Sequence, residues 1–234
     1  MQKNKSYKIV AGKVIMTISL EYLMYSEKQL VFDTSAISHH LHDESKDSLV
    51  QQIENSAMNV EFMRRLALGI EQNGCDFYVT GLILGELRGR EYNPLNLGES
   101  EGAYSERRNL LIQLDKQRQV EVLVQKGIAD VFERKERVVK LEGEKKEDFE
   151  ALKARYDWMK KGFGLSEADF EILMSVNAIG YRGKEEVTLV TNDLRNIAKA
   201  GGVLMKSEKH LQDYVFYLQR NGYFSFDILN GFHT

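Results

Sequence analysis

Hydrophobic residues fall into short unbroken runs that alternate with longer stretches at helical spacing. Gln29-Leu-Val-Phe-Asp33 is a short apolar run ending on an acid and followed by the small polar pair Thr34-Ser35. It predicts a buried strand with an exposed C-terminal tip. From Asn55 to about Ile70, apolar residues recur at Met58, Phe62, Leu66 and Ile70, with Asn73-Gly74 as a stop, which predicts a helix. Phe77-Tyr-Val-Thr80 is a second β-rich run, and Leu82-Ile-Leu-Gly-Glu-Leu87 is the apolar start of the next helix. The order βαβ favours parallel strands joined by a right-handed crossover.

The stretch from about Glu91 to Lys161 is different in character. It holds the only proline, Pro94, a Gly98-Glu-Ser-Glu-Gly102 loop, and mixed-charge runs such as Glu133-Arg-Lys-Glu-Arg137. Apolar positions still recur at Leu110, Leu111 and Leu114, and again at Phe149, Leu152, Tyr156 and Met159. Two or three helices are expected, at least one projecting from or capping the domain. Ser166 is placed to cap a helix through Ile172, Leu173, Val176 and Ile179, with Asp169 at the capping-box position. A charged loop then leads to Val187-Thr-Leu-Val-Thr191, a buried strand ending in Asn192-Asp193. A short helix from Leu194 to Ala200 and the run Gly201-Gly-Val-Leu-Met-Lys206 complete another αβ unit. The aromatic tail from Leu211 to Leu229 is expected to pack on the core.

These patterns divide the chain into an N-terminal extension (1–28), a first α/β part (29–90), a charged helical insertion (91–161), a second α/β part (162–207) and a C-terminal segment (208–234). Composition agrees with one elaborated folded domain: 234 residues are 43% apolar and 29% charged. The single cysteine, Cys75, can form no internal disulfide, which fits a reducing cytoplasm. Lys8 to Tyr25 is fairly apolar but is broken by Lys13 and Glu21, too short to span a bilayer, and carries no targeting signal, so no membrane association is expected. Met16 and Met24 leave open a translation start later than Met1. The formal charge of −3 does not announce a nucleic-acid binder, so any basic face would be local.

Ligands of open α/β sheets sit beyond the carboxyl ends of the strands, where Asp33 and Asp193 fall. Glu86, one turn into the helix after the second strand, and Asp169, in the first turn of its helix, are able to face the same edge. Four carboxylates in one crevice would hold protons near neutrality unless a cation compensates. Mg²⁺ or Mn²⁺ are the oxygen-seeking candidates.

Val31-Phe-Asp-Thr-Ser-Ala36, Gly85-Glu-Leu-Arg88, Ser166-Glu-Ala-Asp-Phe-Glu-Ile-Leu173 and Thr191-Asn-Asp193 resemble, in order, the four motifs of PIN-domain ribonucleases. The resemblance covers about Gln29 to Met205, the insertion excepted. It implies a three-layer, Rossmann-like α/β fold with a central parallel sheet and a helical insertion. It further implies metal-dependent hydrolysis of RNA phosphodiesters, with Asp33, Glu86, Asp169 and Asp193 as metal ligands. Ser35 or Thr34 would hydrogen-bond a ligand carboxylate or the scissile phosphate, Glu171 would serve a metal-bound water, and Asn192 would position substrate. The long insertion and the Asp169/Glu171 pair are similar to the protein-only ribonuclease P branch, which trims the 5′ end of precursor tRNA, so a structured, tRNA-like RNA and a homo-oligomer are the expected partners. Leu165 stands where that branch tends to have an acid.

Competing readings are a toxin-type ribonuclease, against which the insertion argues, and a PIN fold serving only as an RNA- or protein-binding module. A haloacid-dehalogenase-like phosphatase would need an acid at Ser35. Arg88, Arg90 and Arg195 are candidates for tracking an RNA backbone, with Arg107, Arg108, Arg134, Lys135 and Arg137 behind them. For the insertion residues, pairing with acids on helix faces is the preferred reading. His39-His-Leu-His42 lacks the second ligand group a zinc site needs and reads as a solvated or RNA-facing loop. Tyr214, Tyr217, Tyr223 and Phe224 are able to stack on bases, but packing of the tail is the simpler role.

Overall fold

The computed structural model describes residues 6–10, 13–18, 29–38, 48–72, 76–95, 105–180, 187–191, 193, 196–207, 214–220 and 223–228; in the strands near both ends of the chain, and at 105, 188, 198 and 205–207, it describes the backbone alone. His39, His40, His42, Cys75, Asn192 and Arg195 lie outside these residues, as do the side chains of Tyr214, Tyr217, Tyr223 and Phe224.

The chain is an α/β protein. Its strands are β1 (Ser6–Val10), β2 (Lys13–Ile18), β3 (Gln29–Phe32), β4 (Phe77–Tyr78), β5 (Val187–Thr191), β6 (Tyr214–Arg220) and β7 (Tyr223–Ile228), joined in the order β1-β2-β7-β6-β5-β3-β4. β4, β3, β5 and β6 run parallel, as the βαβ order requires. The expectation of a parallel sheet holds only for this half, because β6-β7, β7-β2 and β1-β2 are antiparallel. The reason is connection length. Two residues separate β6 from β7, enough for a hairpin and far too few for a crossover. Those residues are Asn221-Gly222, a hairpin signal in the sequence. The backbone of the tail therefore extends the sheet edge instead of lying over the core, and the N-terminal stretch contributes strands beside it.

The helices are α1 (Thr34–Ile37), α2 (Leu49–Glu71), α3 (Gly81–Gly89), α4 (Ser105–Arg134), α5 (Glu144–Tyr156), α6 (Trp158–Phe163), α7 (Glu167–Gly180) and α8 (Ile197–Ser207). α2 begins earlier than its apolar rhythm, at an N-cap formed by Ser48, whose hydroxyl accepts the Gln51 N–H at 3.2 Å. Gly201 to Lys206, expected to follow a helix, lies inside one: Ile197, Ala200 and Leu204 recur at helical spacing and are fully buried.

The insertion is part of the core. Ile128, Ala129 and Phe132 of α4 and Phe149, Leu152 and Tyr156 of α5 share one apolar cluster with Val31 and Phe32 of β3 and Leu189 of β5. After α4 the chain also bridges the sheet edge, where Val79 N–H donates to the Arg137 carbonyl at 3.1 Å and Val139 N–H to the Val79 carbonyl at 2.8 Å. Arg88 binds Asp130 and Glu133, Arg134 binds Glu71, and Arg137 binds Asp76. These three arginines hold α4 and the segment after it to the rest; for Arg134 and Arg137 this is the pairing expected of the insertion, whereas Arg88, a candidate for tracking RNA, is engaged by acids in the same way. No helix among the described residues is long and apolar enough to cross a membrane.

Truncating Phe132 to Ala is expected to cost about 3–5 kcal/mol in chemical denaturation, whereas Leu123→Ala, at a site 63% exposed, is expected to stay within about 0.5 kcal/mol. Equal, small effects would contradict an insertion integrated into the core.

Candidate carboxylate cleft

β3 and β5 are parallel, with Phe32 opposite Val190, so the residues that follow them leave the sheet at the same edge. Asp33 sits there with its backbone N–H donating to the Val190 carbonyl at 3.0 Å. Its side chain is 2% exposed. The Ser35 hydroxyl donates to Asp33 Oδ2, and the Thr191 hydroxyl donates to the same oxygen at 2.8 Å. Thr191 Oγ1 in turn accepts the Asp193 N–H at 3.1 Å, and Asp193 Oδ1 accepts the Asn196 N–H at 2.9 Å just before α8. One run of hydrogen bonds thus ties the ends of both central strands to the start of the last helix.

Two further acids arrive on helices. Thr80 caps α3, its hydroxyl accepting the Ile83 N–H at 3.3 Å, and Glu86 follows one turn later with its carboxylate accepting the Thr34 hydroxyl at 2.5 Å. Gly164 closes α6 in the left-handed conformation, φ +64°. The turn delivers Ser166, and the expected capping box forms: Ser166 N–H donates to Asp169 Oδ2 at 2.9 Å, and Asp169 N–H to Ser166 Oγ at 3.1 Å.

Asp33, Glu86, Asp169 and Asp193 all line one open cleft of ≈ 740 Å³, with Thr34, Ser35, Ser38, Gly89, Arg90 and Gln125. Arg90 is the one cation among the described lining residues, and it donates to Gln125 at 2.8 Å. Burial is the main cause that pushes Asp33 up to about 6, and the charge of Asp169 adds to it; the hydroxyls of Ser35 and Thr191 and a backbone N–H at Thr34 work in the other direction.

Two candidates lie elsewhere. Glu171 accepts from the Leu82 N–H and the Thr80 hydroxyl at the start of α3, and burial pushes its carboxyl up. Two residues of helix turn it about 200° from Asp169, so it serves a helix N-terminus rather than the cleft. Arg88 faces α4 through Asp130 and Glu133 for the same rotational reason relative to Glu86. Sequence reading missed Thr191 as a partner of Asp33, and also Ser38 and Gln125. A threonine at a strand end and a glutamine in a charged helix carry no signal until the strands and helices are assembled.

The donors are hard carboxylate oxygens, the chemistry Mg²⁺ or Mn²⁺ prefers. Among the described residues no three of His, Cys, Asp and Glu stand close enough to hold one ion together. Mg²⁺ usually keeps several waters and takes one or two carboxylates, so it does not require a cage of three. No family model, no curated protein and no solved structure matches the chain.

A carboxyl raised on folding favours the native state while protonated; that contribution is fully present below the unfolded value near 3.8 and is lost as pH rises through about 6. Asp33→Asn is therefore expected to be more stable than wild type by about 1–3 kcal/mol at pH 7.5 in chelator, with the difference fading between pH 6 and 4. Thermal melts across that range check it; a variant less stable at pH 7.5 would show that Asp33 is not strained by its burial.

Proposed function

We propose that the chain is a Mg²⁺- or Mn²⁺-dependent endoribonuclease of three-layer, PIN-like architecture. The observation that carries this reading is the convergence of Asp33, Glu86, Asp169 and Asp193, from four separate elements, on one cleft at the carboxyl edge of the parallel strands. That each belongs to a motif resembling the PIN series, in the same order, supports it further.

Divalent metal bound there would activate water and stabilise charge on the leaving oxygen of an RNA phosphodiester. The chain's own residues prepare the site. Ser35 and Thr191 fix the free rotation of the Asp33 carboxylate, and Thr34 fixes that of Glu86, so these acids are oriented before substrate arrives. The Ser166 capping box and the Asn196 N–H do the same for Asp169 and Asp193. Arg90, held by Gln125 at the cleft wall, is placed to meet a backbone phosphate.

The substrate we favour is structured RNA, with precursor-tRNA 5′ processing the leading case, by a cytoplasmic homo-oligomer. The second reading is a catalytically weak RNA-binding module. It draws on the absence, among the described residues, of any three acids gathered about one point.

Labelled precursor tRNA and a mixed RNA pool separate the two. Cutting is expected with Mg²⁺ or Mn²⁺, none with chelator, and a loss of at least about 100-fold for Asp193→Asn. Folded protein that binds RNA but cuts none of it, or a variant that cuts as well as wild type, would move the binding module to first place.

A further inference from the structure

Beside the cleft, and sharing Arg90 with it, lies a second and smaller cavity of ≈ 220 Å³ between α2, α4 and the segment after α3. It opens onto a buried polar layer. Glu121 of α4, 4% exposed, accepts the Ser56 hydroxyl at 2.6 Å and the Asn59 side-chain amide at 3.3 Å, both from α2. Gln52, one α2 turn earlier and 7% exposed, accepts from Arg118 at 3.4 Å. Tyr92 stands at the wall. Its hydroxyl donates to Asp115, whose other oxygen accepts the Leu95 N–H at 2.7 Å, so the segment carrying the ring is clamped to α4.

We propose that this cavity is a base-reading subsite that takes an unpaired guanine next to the scissile phosphate; the proposal rests on the ribonuclease reading of the neighbouring cleft. Size comes first. Pockets for drug-sized ligands span about 300–1,000 Å³, so this one suits a single planar ring system. Charge comes next. Arg90 and Arg118 share the lining with Glu91 and Glu121, and Glu121 and Arg118 act on the Arg90 guanidinium with opposite sign. A lone phosphate would meet carboxylates here, whereas a base with both donors and acceptors is matched. Guanine offers O6 and N7 to an arginine fork and its N2 amino group to a carboxylate, and no pyrimidine presents that pair. Tyr92 supplies an aromatic face on which the base stacks. Because Arg90 borders both spaces, a strand whose base enters the cavity has its backbone directed along the cleft wall toward Asp33.

Equilibrium binding to the full chain in chelator, where nothing is cut, tests this with two kinds of probe. The first is the four nucleoside 5′-monophosphates. The second is short single-stranded RNAs with one guanine in an otherwise uridine sequence. Guanosine monophosphate is expected to bind at least tenfold tighter than the pyrimidine nucleotides, and the guanine RNA tighter still. Glu121→Gln is expected to remove the guanine preference, and Tyr92→Leu to weaken all bases about tenfold. Tyr92→Leu leaves the buried layer intact, so it decides the matter if Glu121→Gln fails to fold. Equal binding of all four nucleotides, or nucleotide affinities unmoved by Tyr92→Leu, overturns the subsite. Tight mononucleotide binding with no gain for the RNA would assign the cavity to a free guanine nucleotide and overturn its RNA role. Cleavage without base preference would sink the subsite and leave the nuclease standing; guanine binding by a protein that cuts no RNA would do the reverse.

Discussion

The carboxylate of Asp33 is buried where two parallel strands end, and much of the molecule is arranged around that unfavourable placement. Burial holds its proton to about pH 6, and two hydroxyls, from Ser35 and Thr191, supply the hydrogen bonds that limit the cost. Those bonds exist only because β3 and β5 pair in parallel and in the register that sets Phe32 against Val190. Thr191 also accepts from Asp193, so a shift of one strand would disturb two acids at once. A purely structural role gives no reason to keep a carboxylate in so dry a place when asparagine fits the same volume. The divalent cation proposed for the cleft would.

The insertion contributes to this arrangement from behind. α4 lies along α2, and their interface is not uniformly apolar: Gln52, Asn55, Ser56 and Asn59 form a buried stripe from which Ser56 and Asn59 donate to Glu121, and Gln125 is buried one turn further along α4. Such layers stabilise only when their members are satisfied, and they fix register when they are. Here the layer ends at Arg90, the residue common to both cavities. The packing that holds the insertion in place therefore also positions a cation beside the carboxylates.

What could be read from residues alone follows the physics of each element. Strands β3 and β5, the capping box at Ser166 and the buried faces of α5 and α7 were legible because apolar spacing and cap chemistry are local. The four acids were legible because strand ends and first turns have a known direction. The extent of α2 was not, since its buried stripe is polar and invisible to a hydrophobic rhythm. The helix across Gly201 and Gly202 was misjudged because paired glycines usually break helices, and tertiary burial of Ala200 and Leu204 outweighs that here. The antiparallel half of the sheet was signalled by Asn221-Gly222 but overlooked beneath the aromatic residues around it.

The central claim is that the cleft is a divalent-metal site, and direct Mn²⁺ binding to the RNA-free chain, followed by electron paramagnetic resonance with Mg²⁺ competition, tests it most closely. The account predicts saturable binding that Mg²⁺ displaces and that is lost on Asp33→Asn without loss of folding. Mn²⁺ binding equal in wild type and variant, or none at millimolar metal, would contradict it.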